Sequence, residues 1–315
     1  MSINLTINIS REMSDEIFRI KSISQLHDAL GLPKPKHPLI TLIDPTKVQT
    51  PKELMGIRMT SDLYSIMLKD GSCGMLYGRK HFDFDSGVLV FTAPDQVKTF
   101  TESEPHVVDR GWMLLFHPDL LRRSSLGDTI DNYSFFGYEI NEALHLSDEE
   151  EKTLLDLVNK IEEEYSQRID NHSQKVIVAT IELLLSYCSR FYERQFNTRS
   201  NQNKDTLGKV QEILKEYFSS GQLAEYGAPS IHYLAEKVHL SSGYLSDLLK
   251  KETGRSGKDH INHFLIEKAK NLLLRSKDSV SEIAFELGFN YPHYFSRLFK
   301  AKTGMTPHEY RETEL

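Results

Sequence analysis

Residues 279–304 read SVSEIAFELGFNYPHYFSRLFKAKTG, and the rest of the chain is best read outward from them. Ser279 followed by Glu282 is a capping box, in which each side chain satisfies a backbone N–H of the other at a helix start. Ile283, Ala284 and Leu287 then recur at helical spacing until Gly288 interrupts them. Phe295, Leu298 and Phe299 resume the period, and Gly304 ends it as a left-handed stop. The pattern predicts helix, tight turn, helix.

A weaker copy lies upstream at 230–254, SIHYLAEKVHLSSGYLSDLLKKETG. Ala235 and Val238 match Ala284 and Leu287 at an offset of 49, whereas Ser246, Leu248, Lys250 and Gly254 match Ser296, Leu298, Lys300 and Gly304 at 50. The extra residue falls in the second copy's turn. Ser241 is the expected N-cap of the first copy's second helix. A long helix over about 258–275, with Ile261, Leu265, Ala269 and Leu272 on its inner stripe, joins the copies. Thr306, Pro307 and Glu309 mark one more helix start. Two helix-turn-helix units in one chain imply contact with DNA at two successive places.

Periodicity separates the inner face of each unit from its outer one. In the second unit His293, Ser296, Arg297 and Lys300 point outward. Arg297 can give two hydrogen bonds to a guanine edge, and His293 and Ser296 sit where the N-terminal half of a reading helix meets bases. Lys300 and Lys302 are placed for phosphates. In the first unit Ser242, Gly243, Ser246 and Asp247 are outer, with Asp247 at the position of Arg297. Ser242, Ser246 and Asp247 are therefore its candidate base readers, and Lys250 and Lys251 its phosphate contacts. A carboxylate is repelled by phosphates, so the first unit is expected to read less.

Net charge qualifies this picture. The whole chain is −7, but residues 237–311 hold 13 basic and 8 acidic side chains, a net of +5. Local potential, not the total, attracts a polyanion. At 315 residues, 39% hydrophobic and 26% charged, the chain can bury two domain cores. Only Cys73 and Cys188 are present, which excludes a disulfide framework and a four-cysteine zinc site. The first 18 residues lack a signal-peptide pattern, and no apolar run is long enough to span a bilayer.

The N-terminal half reads differently. Asp15–Leu30 is expected as a short helix with Ile17, Ile20, Ile23 and Leu26 near one face. Residues 39–116 are expected as β: LITLID, YSIMLKD, CGMLYG, FDFDSGVLVF and GWMLLFHP predict short strands of a sandwich or barrel, with a hairpin around Asp85-Ser86-Gly87. Ser147 with Glu150 caps a helix through Leu154, Val158, Ile161 and Tyr165. A second helix over 174–196 has an apolar arc wider than one stripe, so it is either buried on two sides or paired with a second subunit. Asn197–Asp205 is polar and reads as a linker before an opening helix through Leu207, Val210, Leu214 and Tyr217.

Metal chemistry is the competing theme. His81, Asp83 and Asp85 alternate as on one strand face, but a solvated face explains them as well, and His106 and His117 are isolated. His260 and His263, with His232 and His239, lack a carboxylate or thiolate that completes a set.

Residues from about 207 to 311 resemble the DNA-binding domain of AraC/XylS-type transcriptional regulators. The residues that carry this are Leu234-Ala235, Ser241, Tyr244-Leu245-Ser246, Leu249-Lys250, Gly254, Ile283-Ala284, Gly288-Phe289, Tyr294-Phe295-Ser296-Arg297, Phe299-Lys300, Gly304, Pro307 and Tyr310-Arg311. The resemblance implies two helix-turn-helix subdomains joined by a long helix, a bacterial source and, in most members, activation. Three positions depart from the pattern: Asp247, where a polar or basic reader is usual; Gly257, where an apolar residue usually opens the joining helix; and Leu265, where Arg is common.

The expected fold is thus α+β. A cupin-like β barrel or sandwich would occupy 1–146, a helical dimerisation pair 147–196, a linker 197–206 and the all-α DNA-binding domain 207–315. The expected function is sequence-specific, DNA-binding transcription regulation in the cytoplasm, with no catalytic residue, metal or cofactor. Expected partners are double-stranded DNA, RNA polymerase, a small-molecule effector and a second copy of the chain, with no membrane. The rivals are a cupin-type metal-dependent enzyme using His81, Asp83 and Asp85, and a ligand-blind regulator.

Overall fold

A computed structural model describes residues 17–48, 58–70, 83–99, 110–167, 170 and 172–313. It is α+β, as expected. The strands are β1 (Phe18–Ile20), β2 (Ile40–Ile43), β3 (Arg58–Ser61), β4 (Tyr64–Asp70), β5 (Gly87–Thr92), β6 (Lys98–Thr99), β7 (Gly111–Phe116) and β8 (Leu144–Leu146). Among the described residues β2-β7-β4-β5-β8 form an antiparallel sheet, and β1-β3-β6 form a smaller one in which β1 and β3 run parallel. Ile66 on β4 lies opposite Leu114 on β7 and Phe91 on β5, and all three are buried.

Two N-terminal expectations are corrected. Asp15–Leu30 is not one helix: α1 spans Ile23–Ala29, capped by Ser22, and Phe18–Ile20 is a strand that buries Ile20. The Asp85 hairpin does not form either. β5 starts at Gly87, opposite Asp70 of β4, and Asp83–Ser86 are irregular. The CGMLYG run, His81 and His106 lie outside the described residues.

The helical pair is α3 (Asp148–Ser166) and α4 (Ser173–Thr198). The Ser147–Glu150 capping box forms at 3.3 and 3.1 Å. Leu154, Val158, Ile161 and Tyr165 of α3 are buried, and the Tyr165 hydroxyl accepts from Leu42 N–H at 2.9 Å. On α4, Gln195 accepts from His145 N–H at 2.8 Å and donates to Ala143 C=O at 3.0 Å. An amide side chain thus satisfies backbone groups beside β8.

The linker expectation is also corrected. Residues 200–219 form one helix, α5 (Ser200–Ser219), and only Arg199 breaks it from α4. Asn203 is 2% exposed and donates to Phe196 C=O at 2.9 Å. A polar stretch folds here because its polar groups find partners inside.

The remaining α-helices are α2 (Ser125–Thr129), α6 (Gln222–Tyr226), α7 (Ile231–Val238), α8 (Ser242–Thr253), α9 (Gly257–Arg275), α10 (Val280–Glu286), α11 (Pro292–Thr303) and α12 (Pro307–Glu312). The capping boxes at Ser279 and Thr306 are both present, and Gly254 and Gly304 close α8 and α11 with φ of 73° and 82°. In the second unit's turn Gly288 has φ 78°, and a Cβ there would stand 2.5 Å from Gly227 Cα and Leu223 O. Both demands exclude a larger residue. Gly257 opens α9 beside α7. A Cβ there would collide with Ile231, so its absence lets α9 pack closely against α7. Leu265 is 2% exposed, which makes it a core residue of α9.

Candidate nucleic-acid interface

In the second unit His293, Arg297 and Lys300 lie outward as the periodicity predicts, whereas Ser296 is half-buried. Phe295 and Phe299 are fully buried, and Phe299 meets Tyr310 of α12 edge to face at 5.4 Å. That anchoring leaves His293, Arg297 and Lys300 exposed on the opposite side of α11. The Arg297 guanidinium lies 5.4 Å from the Tyr294 ring centre, and His293 stacks obliquely on the same ring at 4.3 Å. These contacts restrict the arginine without using up its donors. Ser296 is half-buried, and its hydroxyl donates to Pro292 C=O at 3.2 Å. Lys302 is held by Asp259 of α9 at 2.6 Å, a pairing that keeps the Asp259 carboxyl below its usual range. Lys300 is the more available of the two for phosphate.

The first unit is arranged otherwise. Lys250 is exposed, but Lys251 pairs with Glu193 of α4 at 2.8 Å. Ser242, Ser246 and Asp247 are half-buried, and Asp247 faces the N-terminal half of the chain. The Asp247 carboxylate accepts from Tyr138 at 2.6 Å and from Ser134. Burial first, and then Asp247, pushes the Tyr138 hydroxyl far up, so it stays protonated and donates. Glu142, 1% exposed, accepts from Ser241 N–H at 2.6 Å and from the Ser241 hydroxyl at 2.5 Å. Burial raises the Glu142 pKa, and the bonds from Ser241 oppose that rise. Asp247 is therefore engaged within the chain in this arrangement, which its outer position on the helix alone did not reveal.

Behind this contact lies a buried ion pair. Arg199 donates to Asp83 at 3.1 Å through Nε and 2.6 Å through Nη2, and the two side chains are 5% and 0% exposed. Arg199 also reaches the Tyr244 hydroxyl of α8 at 3.4 Å. Burial is the strongest single influence and works against the guanidinium charge, but the bonds to Asp83 and Tyr244 and the charges of those groups together outweigh it, and the arginine pKa is raised. Asp83 is thus a structural partner of Arg199 and not one of three alternating strand residues.

Among the described residues no three His, Cys, Asp or Glu gather as a metal-ligand group. His260 is instead a buried residue bonded to Thr253 at 2.7 Å, its pKa lowered by burial and then by Arg255. It lines a cleft of about 420 Å³ with Arg255, His263 and Phe264. No described helix is long and apolar enough to cross a membrane. Glu142, Ser134, Tyr138 and Arg199 had no signal in the sequence, because each acts through a partner from 45 to 116 positions away.

Comparison with known proteins agrees with this geometry. A helix-turn-helix domain model matches residues 234–313. The chain is 29% identical over 155 residues to the uncharacterized HTH-type transcriptional regulator YijO of Escherichia coli, covering 49% of this chain and 51% of that one. It is 38% identical over 85 residues to the HTH-type transcriptional activator RhaS of Escherichia fergusonii, covering 27% of this chain and 31% of that one. Among solved structures, the C-terminal domain of the response regulator yesN from Fusobacterium nucleatum is 38% identical, covering 33% of this chain and 94% of that chain, with a TM-score of 0.29. The chain thus spans about half the length, or less, of these curated relatives. Residues 234–313, with their paired units, glycine stops and joining helix, are a helix-turn-helix domain of the AraC type.

Proposed function

We propose that this chain is a sequence-specific regulator of transcription that binds double-stranded DNA through its helix-turn-helix units. The observation that carries the reading is the outer face of α11, where His293, Arg297 and Lys300 stand exposed above the buried Phe295 and Phe299. Such a helix fits a major groove, with Arg297 and His293 toward base edges and Lys300 toward a phosphate. Ser296 supports the turn at Pro292, and Lys302 reaches DNA only by leaving Asp259. Ser242, Ser246, Asp247, Lys250 and Lys251 form the corresponding surface of the first unit. Activation through RNA polymerase, in the cytoplasm, is the mode proposed. To test the reading, the purified chain is used to select duplexes from a random pool. Enrichment of one motif is expected, and a pool left unenriched at moderate salt would refute it.

The N-terminal half is proposed to be a cupin-like sensor for a small molecule. The rings of Phe91, Phe135, Tyr192, Tyr138 and Tyr244 form a chain of contacts from the sheet to α8, with centroids 4.4 to 5.5 Å apart. A change in the sheet would be felt at the first unit through that packing. Asp83, held by Arg199, does not favour the metal-dependent enzyme.

Pairing of two chains is proposed through α4. Its exposed face carries Val176 at 38% and Leu183 at 47% exposure, one helical face apart from the buried Ile177, Ile181 and Leu184. Replacing Leu183 by Glu puts a charge in that contact. The expected result is a monomer by sedimentation at concentrations where the unmodified chain is a dimer, with the helical circular dichroism retained.

A further inference from the structure

The two units are near copies, so each is a control for the other. The positions of His293, Tyr294 and Arg297 in α11 correspond at an offset of 50 to Gly243, Tyr244 and Asp247 in α8. Tyr294 is 49% exposed, whereas Tyr244 is 4% exposed. The difference comes from residues 134–142, which lie across the N-terminal half of α8, together with Phe196 and Arg199, which also contact Tyr244. A Cβ on Gly243 would stand 3.5 Å from the Tyr138 ring and 3.6 Å from Ser134 O. A Cβ there would already touch the segment, whereas His293 on the second unit is exposed. Tyr138 and Tyr244 meet edge to face at 5.2 Å, and Asp247 and Ser241 are bonded to Ser134, Tyr138 and Glu142.

We propose that residues 134–142 are an autoinhibitory cover on the first unit, which DNA must displace before both units can bind. The cover's role rests on the DNA-reading function proposed for the two units, and three features of the contact point to it. First, the cover is seated on the part of a reading helix that enters a major groove, so cover and duplex cannot occupy it together. Second, Glu142 presents an anion to the N-cap residue of α8. The N–H and hydroxyl of Ser241 are the kind of donors that helix starts give to DNA phosphates. The carboxylate takes both, and a backbone phosphate would compete for them. Third, Asp247 explains itself only in the covered form. Beside phosphates it is repelled, whereas under the cover it holds two hydroxyl donors. The covered chain therefore offers α11 alone, and the second unit's match of residues to groove sets its weak first encounter with DNA. Opening adds α8 and the phosphates that flank it.

The test uses the full chain and a motif obtained by selection. One variant combines Ser134→Ala with Tyr138→Phe and removes both donors to Asp247. Another, Glu142→Gln, removes the anion. Neither alters a residue proposed to touch DNA. Amide hydrogen exchange across 242–247 is expected to quicken in both. DNA affinity is expected to rise about tenfold, the scale of one charge-assisted hydrogen bond lost from the covered form. The slope of log affinity against log salt should steepen, because more phosphates are neutralised. Quicker exchange with unchanged affinity and slope would overturn the proposal, and so would unchanged exchange. A third variant, Ser134→Cys with Asp247→Cys, fixes the cover through a disulfide. Its oxidised form should bind with the shallower slope and recover the steeper one on reduction. Equal slopes in the two redox states would overturn the proposal. Arg297→Ala separates the two claims. It should remove preference at one base position of the motif whether the cover is open or fixed. If no form binds DNA at all while exchange responds as expected, the DNA reading has failed and takes the cover's purpose with it.

Discussion

Replacing Arg297 by alanine is expected to lower affinity for the selected motif by roughly 5- to 150-fold, the factor that corresponds to about 1–3 kcal/mol for a bidentate arginine–guanine contact. The loss should be confined largely to one base position. At that position the variant would accept all four base pairs nearly equally. The structure gives the reason: Arg297 is exposed, its guanidinium lies against the Tyr294 ring, and the helix beneath it is fixed by Phe295 and Phe299. The arginine therefore meets a base edge with little further ordering. Lys300→Ala is the contrasting case, since a phosphate contact carries no sequence information. It should weaken all duplexes alike and reduce the salt slope by about one. Binding titrations against the motif, its single-base variants and an unrelated duplex measure both effects. Unaltered base preference in Arg297→Ala would remove α11 from the role of reading helix.

Arg199→Met is expected to have the largest effect on stability, a loss of roughly 3–5 kcal/mol, because it leaves the Asp83 carboxylate buried without its cation. The two side chains are 5% and 0% exposed, so water does not replace the lost partner. The variant also loses the bond to Tyr244, and with it a tie between the α4–α5 junction and the first unit. Urea unfolding should show a lower midpoint. Adding Asp83→Leu to Arg199→Met should recover much of the loss, since an apolar pair of similar volume has no charge to desolvate. A double variant no more stable than the single one would mean that the pair is needed for the geometry of the junction and not only for charge balance.

Arg199 also shows where reading from sequence stops. NTRSNQNKD looks like a linker because its residues are polar, and polar residues usually face water. Here Arg199 and Asn203 are buried, and their polar groups are satisfied by Asp83, Tyr244, Phe196 and Glu252. None of those partners is signalled by its spacing. The same holds for Asp247. Its place on the helix follows from a period of 3.6, but what it faces depends on a segment more than a hundred residues away.

The sequence by itself determined the last third of the chain: both helix-turn-helix units, their serine and threonine caps, their glycine stops, the joining helix and the outward set on α11. All of these rest on interactions within a few residues or on one-helix periodicity, and such interactions are written locally. Tertiary structure alone decided that the first unit's Asp247 is engaged within the chain, that Glu142 and Tyr138 lie on α8, and that Asp83 belongs to Arg199. These are long-range pairings of polar groups whose free energy comes from mutual burial. A linear pattern carries no record of which buried group will meet which.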